Sequence, residues 1–282
     1  MTSTIDWQGY LVVQNDMSML IQSPFMCRGQ VVYGADSDAT TMAIAGLQFM
    51  LSRGHSIQSV HLTEPINAEI VGLATGIDSP QINENIATSS VEWDILVGDE
   101  ATLVIAHNSI ERYEFDQPVG LVELEERLFD DLNDAWEKET ALAHVSQGAY
   151  VSHSQYLEGA RARLSLASQR LDEQSIWPPR QMDAAGLRLP SPSTALVGKA
   201  TVESWTKLSA AGAPSEFSLR APILGGIQTV FVRFEQGPAG VFLLADDLEY
   251  QPKIGDAVDF SVRKIYAQES FIRYGLKAFP VE

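Results

Sequence analysis

The chain has 282 residues, 45% of them hydrophobic, which is enough apolar material for the core of one large or two ordinary domains. Its formal net charge is −18, and its single cysteine, Cys27, excludes an internal disulfide and any site built from several thiolates. Residues 1–194 carry 10 basic and 27 acidic side chains, whereas residues 195–282 carry 9 and 10. This balance disfavours DNA or another polyanion as a ligand.

The N-terminal segment has neither the basic start nor the apolar run of a signal peptide, and the sequence has no uninterrupted apolar run of about 18 residues. We therefore expect a soluble, cytoplasmic protein that does not interact with a membrane. Cys27 is expected to be a small buried hydrophobe, and a reactive thiol is the alternative.

The first region predicts alternating strands and helices. The segments YLVV (residues 10–13) and QVVYG (residues 30–34) are typical of strands. A helix is predicted to begin after Asp38, which suits the N-cap, and to end before Gly54. A strand within residues 56–63 would complete a βαβ unit of a parallel sheet.

Two apolar runs around the turn GDE in residues 93–115 predict a hairpin that ends this sheet. Residues 121–145 have apolar side chains at spacings of three and four, which predicts an amphipathic helix with a solvated acidic face. Residues 154–171 predict a second helix. Residues 176–194 contain two pairs of closely spaced prolines and predict an extended connector.

The remainder is β-like throughout. Five strand-like runs are separated by glycine and proline turns, namely GKATVESWTKL, TVFVRFE, GVFLLADD, AVDFSVRKIYA and FIRYGLKAF. Five short strands in about 85 residues suit a small closed barrel, of which the OB-fold is the common form. The predicted organisation is an α/β domain at residues 1–118, a helical connector at 119–194 and an all-β domain at 195–282.

The last of these segments resembles the OB-fold half of the zinc-ribbon/OB-fold proteins that accompany thiolases and hydroxymethylglutaryl-CoA synthases. That family has a glycine in its opening strand, an I-G-x-x-V turn before the fourth strand and a closing phrase that ends in Y-x-x-K-F-x-P. The positions that fall on this pattern are Gly198, Ile254, Gly255, Val258, Ile265, Tyr266, Tyr274, Lys277 and Pro280.

The same family carries a zinc ribbon upstream of its OB-fold. This chain keeps the flanking motifs YLEG (residues 156–159) and WPPR (residues 177–180), but no position of the ribbon is a thiol. Counted from the prolines, the metal positions fall on Gln169, Asp172, Asp183 and about Ala185. Because a structural zinc site needs strong ligands such as thiolates, we expect a metal-free ribbon held by packing of Trp177 and the prolines. The five scattered histidines predict no metal site elsewhere.

The N-terminal region is similar to hydroxymethylglutaryl-CoA synthases and ketoacyl synthase III-like enzymes. The similarity lies in YGADSDATTMAIAGLQFMLSRGHSIQSVHLTEP and in WDILVGDEATLVIAHNSIERYEF, which resemble segments of the first half of the thiolase fold in those enzymes. The family places its nucleophilic cysteine between them, but residues 64–92 contain none. Acyl-transfer chemistry needs a thiolate, a base and an oxyanion site. The resemblance therefore implies a thiolase-like half domain without its catalytic parts.

These resemblances imply a non-catalytic accessory subunit of an acyl-CoA or acyl-carrier processing complex. Its partner would be a thiolase-like or hydroxymethylglutaryl-CoA synthase-like protein in a hetero-oligomer, because an isolated half domain exposes the face that normally packs on the other half. No cofactor is expected to bind tightly, although coenzyme A shared with the partner is a candidate ligand. The candidate contacts to coenzyme A or to the partner are Arg263, Lys264, Tyr266, Arg273, Tyr274 and Lys277.

The sequence leaves three alternatives open. The six candidate residues could follow ordinary strand alternation, with tyrosines inward and lysines outward. The chain could be an active acyltransferase or condensing enzyme, for which Cys27 is the candidate nucleophile. The barrel could bind single-stranded nucleic acid through Trp205, Phe231 and Phe234, against which the net charge counts.

Overall fold

A computed structural model of the chain describes residues 4–78, 82–83, 91–144, 151–190, 194–196, 199–247 and 250–281. The protein is a mixed α/β protein that forms two compact units, Met1–Asp130 and Asp131–Glu282. The four α-helices of the described ranges are α1 (Ala39–Ser52), α2 (Ala68–Thr75), α3 (Glu126–Thr140) and α4 (His153–Leu164). Among these ranges, no helix is long and apolar enough to cross a membrane.

The strands of the first unit are β1 (Ile5–Trp7), β2 (Tyr10–Gln14), β3 (Ser18–Gln22), β4 (Phe25–Cys27), β5 (Gln30–Val32), β6 (Val60–Leu62), β7 (Ile82–Asn83), β8 (Trp93–Val97), β9 (Thr102–His107) and β10 (Val122–Glu123). Seven of them form a mixed sheet in the order β1-β2-β3-β9-β8-β6-β7. Strand β6 is parallel to β7 and β8, and the other pairs are antiparallel.

The predicted helix is confirmed as α1. The Asp38 carboxylate accepts a hydrogen bond from the Thr41 backbone N–H at 2.9 Å, and the Thr41 hydroxyl accepts one from the Asp38 N–H at 2.9 Å. This reciprocal pair is a capping box and satisfies N–H groups at the helix start. Gly54 follows the C-cap residue with φ +86°, a conformation that favours glycine.

The predicted βαβ unit is correct in type but wrong in its first strand. QVVYG supplies β5, which pairs with β4 in a separate three-stranded sheet of order β10-β4-β5. Arg28 and Gly29 both have positive φ, so a two-residue turn returns the chain on itself. The strand of the main sheet that precedes α1 is β3, which lies parallel to β6.

Two further sequence expectations for this unit need correction. Strands β8 and β9 form a hairpin as predicted. The hairpin lies in the middle of the sheet and not at its end, because β9 also pairs with β3 and β8 also pairs with β6. Helix α2 was not predicted within residues 64–92. Its local signals are Asn67, whose side chain accepts from the Ile70 N–H at 3.1 Å, and the left-handed Gly76 at its end.

The strands of the second unit are β11 (Ala167–Leu171), β12 (Gln174–Ile176), β13 (Thr194–Ala195), β14 (Ala200–Leu208), β15 (Ile227–Phe234), β16 (Ala239–Leu244), β17 (Ala257–Gln268) and β18 (Phe271–Pro280). The first three form a small antiparallel sheet of order β12-β11-β13. The predicted second helix therefore ends at Leu164, and its last part is strand β11. Asp172 and Glu173, both with positive φ, form the turn from β11 to β12.

The five predicted C-terminal strands are confirmed as β14 to β18. They close into a ring in the order β14-β15-β16-β18-β17, in which β14 also pairs with β17. Only the pair of β16 and β18 is parallel within this ring. The ring is filled by apolar side chains, and at its centre the rings of Phe234, Phe242 and Phe260 contact one another. Gly198, one of the family positions, lies outside the described residues.

Candidate functional site

All six candidate residues lie on the antiparallel pair β17 and β18. The pairing places Tyr266 opposite Arg273 and Lys264 opposite Tyr274. The alternation of inward tyrosines and outward lysines is wrong for this pair, because Lys277 is only 1% exposed and Arg263 and Arg273 are also buried. Buried cations need partners, and two groups of side chains supply them.

The first group is a buried ion network centred on Arg220, whose side chain is fully buried. Its Nε donates to the two carboxylate oxygens of Glu139 at 3.0 and 3.2 Å, and its Nη1 lies 3.3 Å from Asp246 Oδ2. Its Nη2 donates to the carbonyl of Ile265 at 2.7 Å. The guanidinium also lies 3.8 Å from the centre of the Trp136 ring, a favourable cation–π distance.

Two of the six candidate residues belong to this network. Lys277 Nζ lies 2.8 Å from Asp246 Oδ2, so its charge is neutralised within the unit. Lys264 Nζ lies 4.3 Å from the centre of the Trp136 ring. Both lysines therefore contact groups of their own unit, which favours a structural role for Lys277 in particular.

Helix α3 contributes Trp136 and Glu139 to the network, which corrects the expectation of a fully solvated acidic face. Glu139 is 2% exposed, although Glu137 and Lys138 beside it are exposed. Burial raises the pKa of the Glu139 carboxyl above its ordinary value, and the charge and hydrogen bonds of Arg220 oppose this rise. The helix is thus attached to the ring by a paired charge as well as by an aromatic ring.

The second group surrounds Arg273 and joins α4 to β18. Arg273 Nη1 and His153 Nδ1 share a hydrogen bond at 2.8 Å, and the guanidinium lies 4.6 Å from the centre of the Tyr156 ring. The His153 ring stacks on Phe271 with centroids 5.1 Å apart. Burial raises the pKa of the Tyr266 phenol, and the positive charge of Arg273 opposes that rise.

The tyrosine of the YLEG motif has a defined structural role. The Tyr156 hydroxyl donates to the Tyr274 carbonyl at 3.0 Å and accepts from the Tyr274 N–H at 2.7 Å. Tyr274 is itself buried, so its backbone groups have little access to water as replacement partners.

Replacing Tyr156 with phenylalanine should therefore lower the free energy of unfolding by about 1–3 kcal/mol, because it leaves two backbone groups of β18 unsatisfied. Urea denaturation of the purified variant measures this loss. Tyr113→Phe is the matched control, since Tyr113 is partly exposed. Equal effects of the two substitutions would contradict the role given to the Tyr156 hydroxyl.

Arg263 is hydrogen-bonded within β17, and the aromatic side chains of the nucleic-acid alternative differ in exposure. Arg263 Nη1 donates to the Ser261 hydroxyl and, at 3.1 Å, to the Val262 carbonyl. Phe234, which the nucleic-acid alternative requires on the surface, is buried inside the ring, whereas Trp205 is 39% exposed. Base stacking needs an accessible ring, so only part of that alternative surface is present.

The ribbon positions hold hydrogen-bonding groups instead of thiolates. The Gln169 amide N–H group donates to the Pro190 carbonyl at 2.7 Å and to the Arg180 carbonyl at 2.5 Å, and Gln169 Oε1 accepts from the Arg180 N–H at 2.8 Å. Asp183 Oδ1 accepts from the N–H groups of Ala185 and Leu187, both at 2.8 Å. We call the Gln169 bonds the glutamine clip. It ties β11 to Arg180, the last residue of the WPPR motif, and to Pro190 further along the chain.

No grouping of three or more histidine, cysteine, aspartate or glutamate side chains within the described ranges could hold a metal ion. His61 Nδ1 lies 3.3 Å from Asp94 Oδ1, which brings together two groups and not three. Cys27 ends strand β4 and is 2% exposed, which agrees with its prediction as a small buried hydrophobe.

Sequence reasoning missed Arg220, Asp246 and His153. Arg220 lies in the loop between β14 and β15, where one cation among apolar residues is the single available signal. Its partner Glu139 is 81 residues away in sequence, so no local spacing links them. His153 directly follows the N-cap Ser152 of α4, a position that local patterns assign to capping rather than to a contact with β18.

No protein-family model matches the chain, and no curated protein matches it in sequence. The function is therefore inferred from the geometry of the described residues and from the motif resemblance.

Proposed function

We propose that the protein is a non-catalytic accessory subunit of an acyl-CoA or acyl-carrier processing complex, which docks on a thiolase-like or hydroxymethylglutaryl-CoA synthase-like catalytic subunit. The observation that carries this proposal is the order of parts in the second unit. Helix α4 with its YLEG tyrosine, two β-hairpin-like segments around WPPR and the closed ring follow one another in the sequence that the resemblance implies.

The ring itself supports an OB-fold. Five strands closed in the order β14-β15-β16-β18-β17, with a single parallel pair, have the Greek-key connection of this small barrel. In the first unit, the parallel crossover from β3 through α1 to β6, followed by the β8–β9 hairpin, agrees with the strand, helix and strand implied for a thiolase-like half domain.

The burial of Cys27 supports the proposal that the catalytic residues lie on a partner subunit. A nucleophilic thiol must meet the acyl donor, and reactive cysteines are at least partly exposed. Cys27 instead lies at the end of a short strand with 2% exposure. An accessory subunit needs no such nucleophile, and coenzyme A would then be shared with the catalytic partner instead of being bound tightly by this chain alone.

Co-expression with a thiolase-like or hydroxymethylglutaryl-CoA synthase-like protein from the same genome tests the proposal. We expect the two chains to elute together in size-exclusion chromatography. A stable, monodisperse monomer that binds no such partner would count against the accessory role.

An activity assay separates the enzymatic alternative. The isolated chain should not turn over an acyl thioester, and Cys27→Ala should leave the activity of the complex unchanged. Turnover by the isolated chain that is lost in Cys27→Ala would establish the alternative, an acyltransferase or condensing enzyme with Cys27 as its nucleophile.

A further inference from the structure

The second unit has three buried arginines among its described residues, Arg220, Arg263 and Arg273, and Arg273 differs from Arg220 in how its nitrogens are used. Its residue exposure is 1%, yet the one hydrogen bond of its guanidinium joins Nη1 to His153 Nδ1. Within the described residues, Nε and Nη2 have no hydrogen-bond acceptor. At Arg220, by contrast, Nε, Nη1 and Nη2 all have acceptors.

The two nitrogens without acceptors form one edge of the guanidinium. Nε–H and one N–H of Nη2 point in nearly the same direction, which is the fork that binds two oxygens of a carboxylate or a phosphate in parallel. The opposite side of the group is occupied by His153, and its face lies on the Tyr156 ring. The guanidinium is therefore held in one orientation, and its two-pronged edge is buried without an acceptor among the described residues.

Such an edge is costly to leave unsatisfied. Burying a charged donor without an acceptor loses its hydration and gains nothing in return, so native proteins pair such groups with protein, water or ligand. The low dielectric constant around a buried guanidinium also strengthens its attraction for an anion. A negatively charged oxygen pair at this edge would supply both missing acceptors.

The neighbouring charges favour an anion of more than one negative charge. Tyr266 lies opposite Arg273 on β17, and its phenol feels the positive charges of both Arg273 and Arg163 and the negative charge of Glu216. His153 is the first residue of α4, so the partial positive charge of the helix start lies on the same side. Among the groups that act on the Tyr266 phenol, two positive charges therefore stand against one negative charge.

We propose that the Nε and Nη2 edge of Arg273 is a receptor for a phosphate group, with Tyr266 as a neighbouring phenol donor. The proposal rests on the accessory function only for the source of the phosphate, which would be coenzyme A. Of the six residues predicted from the sequence, it selects Arg273 and Tyr266 as the ligand contacts and leaves Lys277 to the buried ion network.

Phosphate titration of the full chain tests the receptor directly. At constant ionic strength set with chloride, the Nε–H resonance of Arg273 should shift saturably with inorganic phosphate, and acetate should be at least about tenfold weaker because it carries one charge less. Absence of a saturable shift would overturn the proposal, since water alone would then satisfy the edge. Equal binding of acetate would overturn the choice of phosphate.

Substitution distinguishes the two parallel hydrogen bonds of the guanidinium from attraction by its charge alone. Arg273→Lys keeps the charge and loses the parallel donors, so phosphate affinity should fall about tenfold or more. Arg233→Lys is the matched control, because Arg233 also lies in the ring but pairs with Glu203 in an exposed position. Unchanged affinity in Arg273→Lys would overturn the proposal. The resonance measured on the unmodified protein decides the question even if Arg273→Lys does not fold.

Competition identifies the source of the phosphate. Coenzyme A should displace inorganic phosphate from Arg273, whereas pantetheine, which lacks phosphates, should not. Phosphate binding without competition by coenzyme A would overturn the assignment to that ligand. Because co-elution with a catalytic partner is measured independently, failure of this site and failure of the accessory function are distinguishable.

Discussion

Replacing Arg220 with methionine should lower the free energy of unfolding by about 3–5 kcal/mol at neutral pH, the range found when one partner of a buried ion pair is removed. Methionine retains an unbranched side chain of similar length, so the loss reports mainly the unpaired charge left on Glu139. Chemical denaturation of the variant and of the unmodified chain measures it. Arg233→Met is the control, because the Arg233–Glu203 pair is exposed and its loss should have a much smaller effect.

The deficit of Arg220→Met should also depend on pH. Glu139 already has a raised pKa in the folded chain, and removal of Arg220 takes away charge and hydrogen bonds that lower it, so the pKa rises further. A carboxyl whose folded pKa exceeds its unfolded value contributes stability that is present below the unfolded pKa and lost as pH rises through the folded pKa. The free energy of unfolding of the variant should therefore approach that of the unmodified chain below about pH 4 and become lower than it toward neutral pH. A deficit that is constant across this range would contradict the assignment of the unpaired charge to Glu139.

Replacing Trp177 with alanine should lower the free energy of unfolding by about 2–4 kcal/mol, somewhat less than for an aromatic side chain removed from a core, because Trp177 is half-buried against the ring aromatics. The Trp177 ring stacks on Phe242 with centroids 5.2 Å apart and an interplanar angle of 14°, and it meets the Phe234 ring edge-on at 6.0 Å. Gly240 leaves the space for this stack, because a Cβ there would lie 2.5 Å from Trp177 Cζ3.

Trp205→Ala is the matched control for this substitution. Trp205 lies on β14 of the same ring but is 39% exposed, so its removal should have a clearly smaller effect in the same thermal or urea denaturation. Similar losses in the two variants would show that Trp177 does not anchor its segment to the ring. The expectation from the sequence that Trp177 holds the ribbon by packing depends on this comparison.

The local signals in the sequence predicted local structure well. Asp38 and Gly54 bound a helix because capping and left-handed glycine act within a few residues, and they appear in the structure where the sequence placed them. The strands of the ring were predictable for a similar reason, since alternation of apolar side chains over a few residues suffices to indicate a half-buried strand. Two predictions were wrong next to two-residue turns. The turn Arg28–Gly29 pairs β5 with β4 and not with the expected sheet, and the turn Asp172–Glu173 pairs β11 with β12 where a helix was expected.

The candidate site was predictable only in part, because its partners come together through tertiary contacts. Arg273 and Tyr266 were selected from a motif on two adjacent strands, and the structure does place them opposite each other. Nothing in the sequence relates Lys277 to Asp246 or Arg220 to Glu139. Only the fold shows which cations are paired in a network and that one edge of Arg273 has no acceptor among the described residues.

The glutamine clip has a consequence for the conditions under which this segment keeps its shape. A carboxamide does not ionise, is not oxidised by mild peroxide and does not exchange with chelators, unlike thiolates bound to zinc. The bonds from Gln169 to Arg180 and Pro190 therefore hold across changes of acidity, redox state or zinc supply that would dismantle a thiolate-bound ribbon. A cell short of zinc would therefore leave these bonds intact.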